Sequence, residues 1–272
     1  NLYEDYSIEN LDLEIEINRD FVNYSGSGEI NNSSLKFQGE QKKVEEKFVD
    51  EINGNLLYNG ENILEFFPGI IDKISGVLDL DFIINSFDDD YKIEAIGITN
   101  NLSIVSNFLG EKSSFSDGKI RLLVNPYDKN YSGFFDLKTN NVDIEINTVF
   151  SNSGLLSLKV NKFLTPIQDF KMDLDLINSI ARVSGNKISI QKIDLKDESF
   201  FSDLGNLDFN VDIEKIILGK NKFLKPLISF KKENYEFSNL NIELNGEKDY
   251  HKVQIFNENQ KKKFFLESNY AP

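Results

Sequence analysis

Apolar and polar residues alternate with a period of two along most of this chain, and that rhythm limits what the chain can become. In "LDLEIEIN", Leu11, Leu13, Ile15 and Ile17 fall on one face and Asp12, Glu14 and Glu16 on the other. "VLDLDFII" repeats the pattern with Leu78, Leu80, Phe82 and Ile84, and "VDIEINTVF" with Val142, Ile144, Ile146, Thr148 and Phe150. "FKMDLDLI" contributes Phe170, Met172, Leu174 and Leu176. "LDFNVDIEKI" contributes Leu207, Phe209, Val211 and Ile213, and "LNIELN" contributes Leu240, Ile242 and Leu244. Successive side chains leave a strand on opposite sides, so each run is a strand with one apolar and one wet face. Half-wetted strands belong to antiparallel sheets, because parallel sheets bury both faces. Runs bounded by turn signals mark about fifteen strands.

Turn chemistry separates the runs. "SDGK" (Ser116 to Lys119) holds the Asp-Gly pair that a two-residue hairpin favours. Asn-Gly stands at Asn53–Gly54, Asn59–Gly60 and Asn245–Gly246, and Ser-Gly opens strands at Ser75, Ser132 and Ser153. Helical spacing is rare. "QKKVEEKFVDEI" sets Val44, Phe48 and Ile52 at i, i+4 and i+8 and predicts a short helix ended by Asn53–Gly54. "ENILEFF" before Pro68 predicts a second, and "SIVSNFLG" around Ile104 fits helix or strand. The expected fold is therefore mainly β: an elongated, curled antiparallel sheet of repeated strand units with a few short helices. No Pro- or Ser-rich linker divides it. One elongated unit over residues 1–272 is expected, with possible sub-units 1–60, 61–150 and 151–272.

One stretch occurs twice. "NKFLTPIQDFK" (Asn161 to Lys171) and "NKFLKPLISFK" (Asn221 to Lys231) share seven of eleven positions at an offset of sixty. Catalytic motifs are seldom duplicated within a domain, whereas units that stack on copies of themselves often are. Proline has no N–H to give a central ladder, so the spacing predicts a corner between strands at Pro166 and again at Pro226.

Composition removes several functions. The net charge is −15, from 30 Lys plus Arg against 45 Asp plus Glu. Nucleic acid and anionic membrane surfaces are bound mainly through Lys and Arg, so neither is an expected partner. Cysteine is absent, which excludes disulfides, zinc–thiolate sites and thiol nucleophiles. The chain begins at Asn1, with no signal peptide and no run of 18 apolar residues. It reads as a mature protein or a piece of a longer one.

Candidates for chemistry reduce to surface features. His251 is the single histidine; with one His and no Cys most metal and nucleophile schemes fail at the count, and a triad would need two further placed groups beside it. Asp79–Asp81 and Asp173–Asp175 each put two carboxylates on one strand face, the arrangement that acid–base work or a divalent cation requires. Glu14–Glu16 and Asp143–Glu145 share the spacing, so acidic outer faces are this chain's habit. "DKNYSG" (Asp128 to Gly133) begins like a calcium loop, but Thr139 stands where the bidentate Glu belongs, so a hairpin loop is expected. "DDD" at Asp88 to Asp90 reads as a loop tip, and the Lys261–Lys263 cluster as a solvated turn. No cofactor, metal or catalytic residue is indicated.

The stretch "FFSDLGNLDFNVDIEKIILGKNKFLKPLISFKKENYEFSNLNIELNGE" (Phe200 to Glu247) resembles the C-terminal region of AsmA-like proteins, the TamB and YhdP types among them. The shared cadence is an alternating strand, a glycine turn, and another alternating strand. "FFPGIIDKISGVLDLDF" (Phe66 to Phe82) is similar in style. The resemblance implies a periplasm-facing protein, tethered to the inner membrane in its full-length form, with outer-membrane partners. It implies a long curled sheet with an apolar groove, linked to outer-membrane assembly and to phospholipid movement between membranes.

Physics makes that role reasonable. Each CH₂ kept from water contributes ~0.8 kcal/mol, so a 16-carbon chain exposed to water costs about 13 kcal/mol. A sheet with one apolar face offers a dry track. Its expected lining is Leu78, Leu80, Phe82, Ile144, Ile146, Met172, Leu174, Phe209, Val211, Ile213, Ile242 and Leu244. The expected ligand is a phospholipid or other acyl lipid. The same alternation also fits a filled sandwich core, so a structural or adhesive surface module stays open. So does a hydrolase working through carboxylates alone.

Overall fold

The computed structural model describes residues 8–30, 32–44, 47–60, 73–87, 90–99, 102–106, 110–114, 118–190, 205–258 and 261–269. They form twenty strands and no α-helix. The chain divides into two units. One comprises Asn1–Ser106 with Glu111–Ser153, the other Asn107–Gly110 with Gly154–Pro272.

In the first unit the strands run β1 (Ile8–Ile17), β2 (Phe21–Ile30), β3 (Ser33–Val44), β4 (Lys47–Asn59), β5 (Lys73–Ser75), β6 (Val77–Phe87) and β7 (Asp90–Ile98). They continue with β8 (Ser103–Ser106), β9 (Gly110–Ser114), β10 (Lys119–Tyr127), β11 (Asn130–Lys138) and β12 (Asp143–Ser151). β1 pairs with β2, β2 with β3, β3 with β4, β4 with β6, β6 with β7, β7 with β10, β10 with β11 and β11 with β12. Every one of these pairs is antiparallel, the pairing that half-wetted strands favour. β5 and β8 pair with each other outside this ladder.

The second unit holds β13 (Gly154–Leu164), β14 (Asp169–Asp175), β15 (Ile180–Ile190), β16 (Leu207–Leu218), β17 (Asn221–Glu233), β18 (Glu236–Gly246), β19 (Tyr250–Glu258) and β20 (Lys261–Asn269). Each strand pairs with the next in antiparallel fashion, except that β15 and β16 run parallel.

Several turns follow their local sequence. Asp128 and Lys129 both adopt positive φ, 42° and 64°, and close a two-residue hairpin in which Tyr127 faces Asn130. The "DKNYSG" stretch is therefore a hairpin and not a calcium loop. Ser75–Gly76 and Ser153–Gly154 precede strands with glycine φ of 103° and 135°. At Asn245–Gly246 the Gly246 N–H donates to the Asp249 carbonyl at 2.7 Å. Asn53–Gly54, by contrast, lies inside β4.

The helix expected over "QKKVEEKFVDEI" is not formed; these residues belong to β3 and β4, with Val44 facing Lys47. A spacing of four is two strand repeats as well as roughly one helical turn. Phe48 and Ile52 therefore share a face in either structure, while Val44 falls on the other face of the hairpin. "SIVSNFLG" begins as strand β8. The helix expected at "ENILEFF", the Ser116–Asp117 part of the "SDGK" turn, and Asp88 and Asp89 lie outside the described residues.

The duplicated stretch takes two forms. At the first copy the chain leaves β13 at Leu164 and re-enters β14 at Asp169, making the expected corner. Thr165 closes it. Its N–H donates to the Gln168 carbonyl at 2.9 Å, and its Oγ1 accepts from the Gln168 N–H at 3.0 Å. Phe163 and Phe170 stack across the strands, ring centres 4.8 Å apart. The second copy makes no corner; Asn221 to Lys231 stay within β17. Lys225 and Ile228 replace Thr165 and Gln168, so the second copy lacks both the hydroxyl that accepts from the corner's backbone and the amide that bonds Ser189. The missing Pro226 N–H is absorbed instead by a slip in register between Leu224 and Leu227, with Lys225 at φ 45°.

Candidate functional site

The registers place every residue expected to line an apolar track on the apolar face of its own unit. Within the first unit a row crosses nine adjacent strands through Leu13, Gly26, Phe37, Gly54, Phe82, Ala95, Leu122, Phe135 and Ile146. A second row contains Leu35, Leu56, Leu80, Gly97, Ile120, Leu137 and Ile144. Leu78 lies on the same side of β6 by alternation and faces Tyr58. Neither row contains a polar side chain. At roughly 4.8 Å per strand the nine-residue row runs about 38 Å. One leaflet's acyl chain needs about half of a ~30 Å hydrocarbon core.

The second unit repeats the arrangement. One row is Val160, Met172, Val183, Val211, Ile228, Ile242, Val253 and Leu266. Its neighbour is Leu158, Leu174, Ala181, Phe209, Phe230, Leu240, Ile255 and Phe264. Ile213 and Leu244 extend the same side. The opposite face carries Lys159, Asp173, Arg182, Asn210, Ser229, Asn241 and Gln254 in one row, which ends at Phe265 on β20. That face is mainly polar, with single exposed apolar residues such as Leu227 and Phe265.

Burial grades across these faces. Leu78, Ile144, Leu174 and Ile213 are buried, whereas Leu80, Phe82, Ile146, Met172, Phe209, Val211, Ile242 and Leu244 stay half-buried. The buried cluster of Phe170, Val183, Ile213 and Ile216 packs against Phe163, Met172, Ile188, Phe209, Val211, Leu218 and Ile228. All of these come from neighbouring strands β13 to β17, and no second layer contributes to the cluster among the described residues. Phe209 stacks on Phe230 with ring centres 4.7 Å apart, close to the strand spacing.

Sequence reasoning missed a pattern that only register reveals. Gly26 faces Phe37, Gly39 faces Tyr24, and Gly54 faces Phe82. In each pair the ring lies over the glycine, so an added Cβ would meet ring atoms. The rings are laid flat on the sheet and the apolar floor is kept low. Burial, and secondarily the Asp50 charge, raises the Tyr24 phenol above its ordinary value. A Gly54→Ala methyl would stand 2.6 Å from the Lys36 carbonyl oxygen and closer to the Phe82 ring. The expected result is a loss of about 1–3 kcal/mol in unfolding experiments as the ring is lifted.

The remaining candidates sit at the surface. Asp79 and Asp81 are exposed on the polar face, where both accept from the Asn55 amide, at 2.7 and 3.0 Å. Asp173 is exposed, and Asp175 caps its own turn by accepting from the Asn178 N–H at 2.9 Å. Those hydrogen bonds from Asn178 hold the Asp175 carboxyl below the usual range. His251 bonds the Ser268 hydroxyl through Nδ1 at 2.8 Å and touches the Phe223 ring edge-on. No group of three or more His, Cys, Asp or Glu side chains converges to hold a metal among the described residues. Lys261–Lys263 open β20 and do not form a turn; Lys262 pairs with Glu236 at 2.7 Å, and Lys263 pairs with Glu258. A concavity of about 970 Å³ lies over β1 to β4, lined mainly by polar-face side chains such as Glu14, Glu16, Gln38 and Glu51.

Comparison with protein families, with curated proteins and with solved structures finds no match.

Proposed function

We propose that this protein is an AsmA-like β-groove segment that shields the acyl chains of phospholipid or a similar lipid. In this role it contributes to lipid movement between membranes and to outer-membrane assembly. It works in the periplasm, with the full-length protein tethered to the inner membrane and meeting outer-membrane partners. The observation that carries the reading is the set of unbroken apolar rows, half-open to solvent, backed by a face of charges and amides. Such a surface can take up a chain of methylenes at ~0.8 kcal/mol each without any catalytic group. The lipid lies across the strands, and its headgroup stays in water.

The test is native mass spectrometry of protein purified gently from cells with ordinary phospholipid membranes. Bound phospholipid, released when the protein is denatured, is expected. Protein that is lipid-free after gentle purification, and that takes up none from vesicles, would sink the proposal and favour a structural or adhesive module. Hydrolytic activity lost in Asp79→Asn or Asp173→Asn would favour the carboxylate enzyme instead.

A further inference from the structure

Alternation along β17 puts Lys232 on the same side as Ile228 and Phe230, the apolar side of the second unit. It faces Leu207 on β16 and Phe237 on β18, so a lysine stands in the row that borders Phe209, Phe230 and Leu240. Lys232 is 6% exposed, and its ammonium lies 5.8 Å from the centre of the Tyr235 ring. Tyr235 is 69% exposed and has φ 66°, a left-handed conformation that bulky side chains rarely adopt. Its turn is pinned in place. The Tyr235 N–H donates to the Gly205 carbonyl at 2.8 Å, and the Asn234 N–H to the Asn206 Oδ1 at 3.0 Å. The ring lies against Gly205, where an added Cβ would stand 3.2 Å from ring atoms. Beside this turn is a concavity of about 550 Å³, lined by Lys232 with Asn178, Asn206 and Asn234 among others.

We propose that this end of the second unit holds the phosphodiester headgroup of the bound lipid, with the Lys232 ammonium against a phosphate oxygen. The inference rests on the lipid-shielding role proposed for the same face. It adds the class of lipid: a diacyl phospholipid, not a neutral lipid with the same tails. An ammonium is a compact charge that suits phosphate, and its attraction is stronger where apolar neighbours such as Leu207 and Phe237 exclude water. The Asn206 amide accepts from Asn234 through Oδ1, which leaves its NH₂ group to donate to phosphate oxygens. A tyrosine, with an apolar ring and a polar tip, suits the boundary between tails and water. Asp208 and Glu233 also line the concavity, with Lys231 paired to Glu233 at 2.7 Å. These carboxylates favour the single charge of a phosphodiester over a more highly charged headgroup. The headgroup keeps contact with water at the strand ends while the tails cross the adjoining rows.

Phosphatidylcholine vesicles carrying a minor amount of diacylglycerol with the same tails test it, with the lipid taken up read by native mass spectrometry. Relative to the vesicle composition, the native protein is expected to prefer the phospholipid at least about tenfold. Lys232→Met should bring that preference close to one while the protein still takes up both lipids, and Lys232→Arg should keep it. Circular dichroism checks that each variant is folded. Asn206→Asp keeps an acceptor for the Asn234 N–H and adds a negative charge to the concavity. It should therefore lower the preference, and it decides the matter should Lys232→Met fail to fold. Native protein that takes up both lipids without preference overturns the headgroup site and leaves the apolar face as a lipid surface. So does a folded Lys232→Met or Asn206→Asp protein with the native preference. Uptake of neither lipid overturns both readings.

Discussion

A Phe209→Asp protein is expected to keep its strands and lose its lipid. Phe209 lies mid-row between Ala181 and Phe230, half-buried and stacked on the Phe230 ring. Its replacement removes the stacking and part of a large apolar contact, at a cost of about 2–3 kcal/mol to the second unit. The new carboxylate sits on a face open to water, so it stays hydrated. An acyl chain crossing that row would have to desolvate it, at several kcal/mol, which exceeds the gain from several methylenes. Bound phospholipid measured by mass spectrometry should fall at least tenfold while far-ultraviolet circular dichroism keeps its strand signal. If the face were instead sealed under a second layer, an unpaired buried charge would unfold the unit.

The other large effect is expected at Gln168, far in character from any apolar row. Its side chain is fully buried and mimics a strand partner. Nε2 donates to the Ser189 carbonyl at 2.7 Å, and Oε1 accepts from the Ser189 N–H at 2.9 Å. In Gln168→Ala both backbone groups of a fully buried Ser189 lose these partners. Each buried polar group left unmatched costs about 1–3 kcal/mol, so a loss on the order of 4 kcal/mol is expected. For a unit of this size the thermal midpoint should drop by roughly 15 °C. Calorimetry that shows a shift of only a degree or two would mean that water replaces the amide.

The sequence made the faces legible more than the connections. Alternation alone assigns Phe82, Ile146, Val211 and Ile242 to one side of their strands, and the registers agree. It does not say which strand lies beside which, so the parallel pairing of β15 with β16 had no signal: a half-wetted strand looks the same beside either kind of partner. The Val44–Phe48–Ile52 spacing misled because four residues fit both periods. The duplicated stretch misled at its second copy because identity of Phe and Pro concealed the change from Thr165 and Gln168 to Lys225 and Ile228. Those two positions decide between a closed corner and a bulge. Glycines beneath rings were invisible for another reason. Gly54 and Phe82 are 28 positions apart, and only the pairing of β4 with β6 brings them together.

Cysteine reactivity along β16 tests the central claim most directly, and the chain carries no native cysteine to interfere. Single substitutions at Asp208, Phe209, Asn210, Val211 and Asp212 would be treated with a water-soluble thiol reagent, with and without bound phospholipid. The account predicts a period of two. Positions 209 and 211 react in the lipid-free protein and are shielded when lipid is present, whereas 208, 210 and 212 react equally in both. Cysteines at 209 and 211 that stay unreactive in the lipid-free protein would mean that protein already covers the face, and would contradict the account.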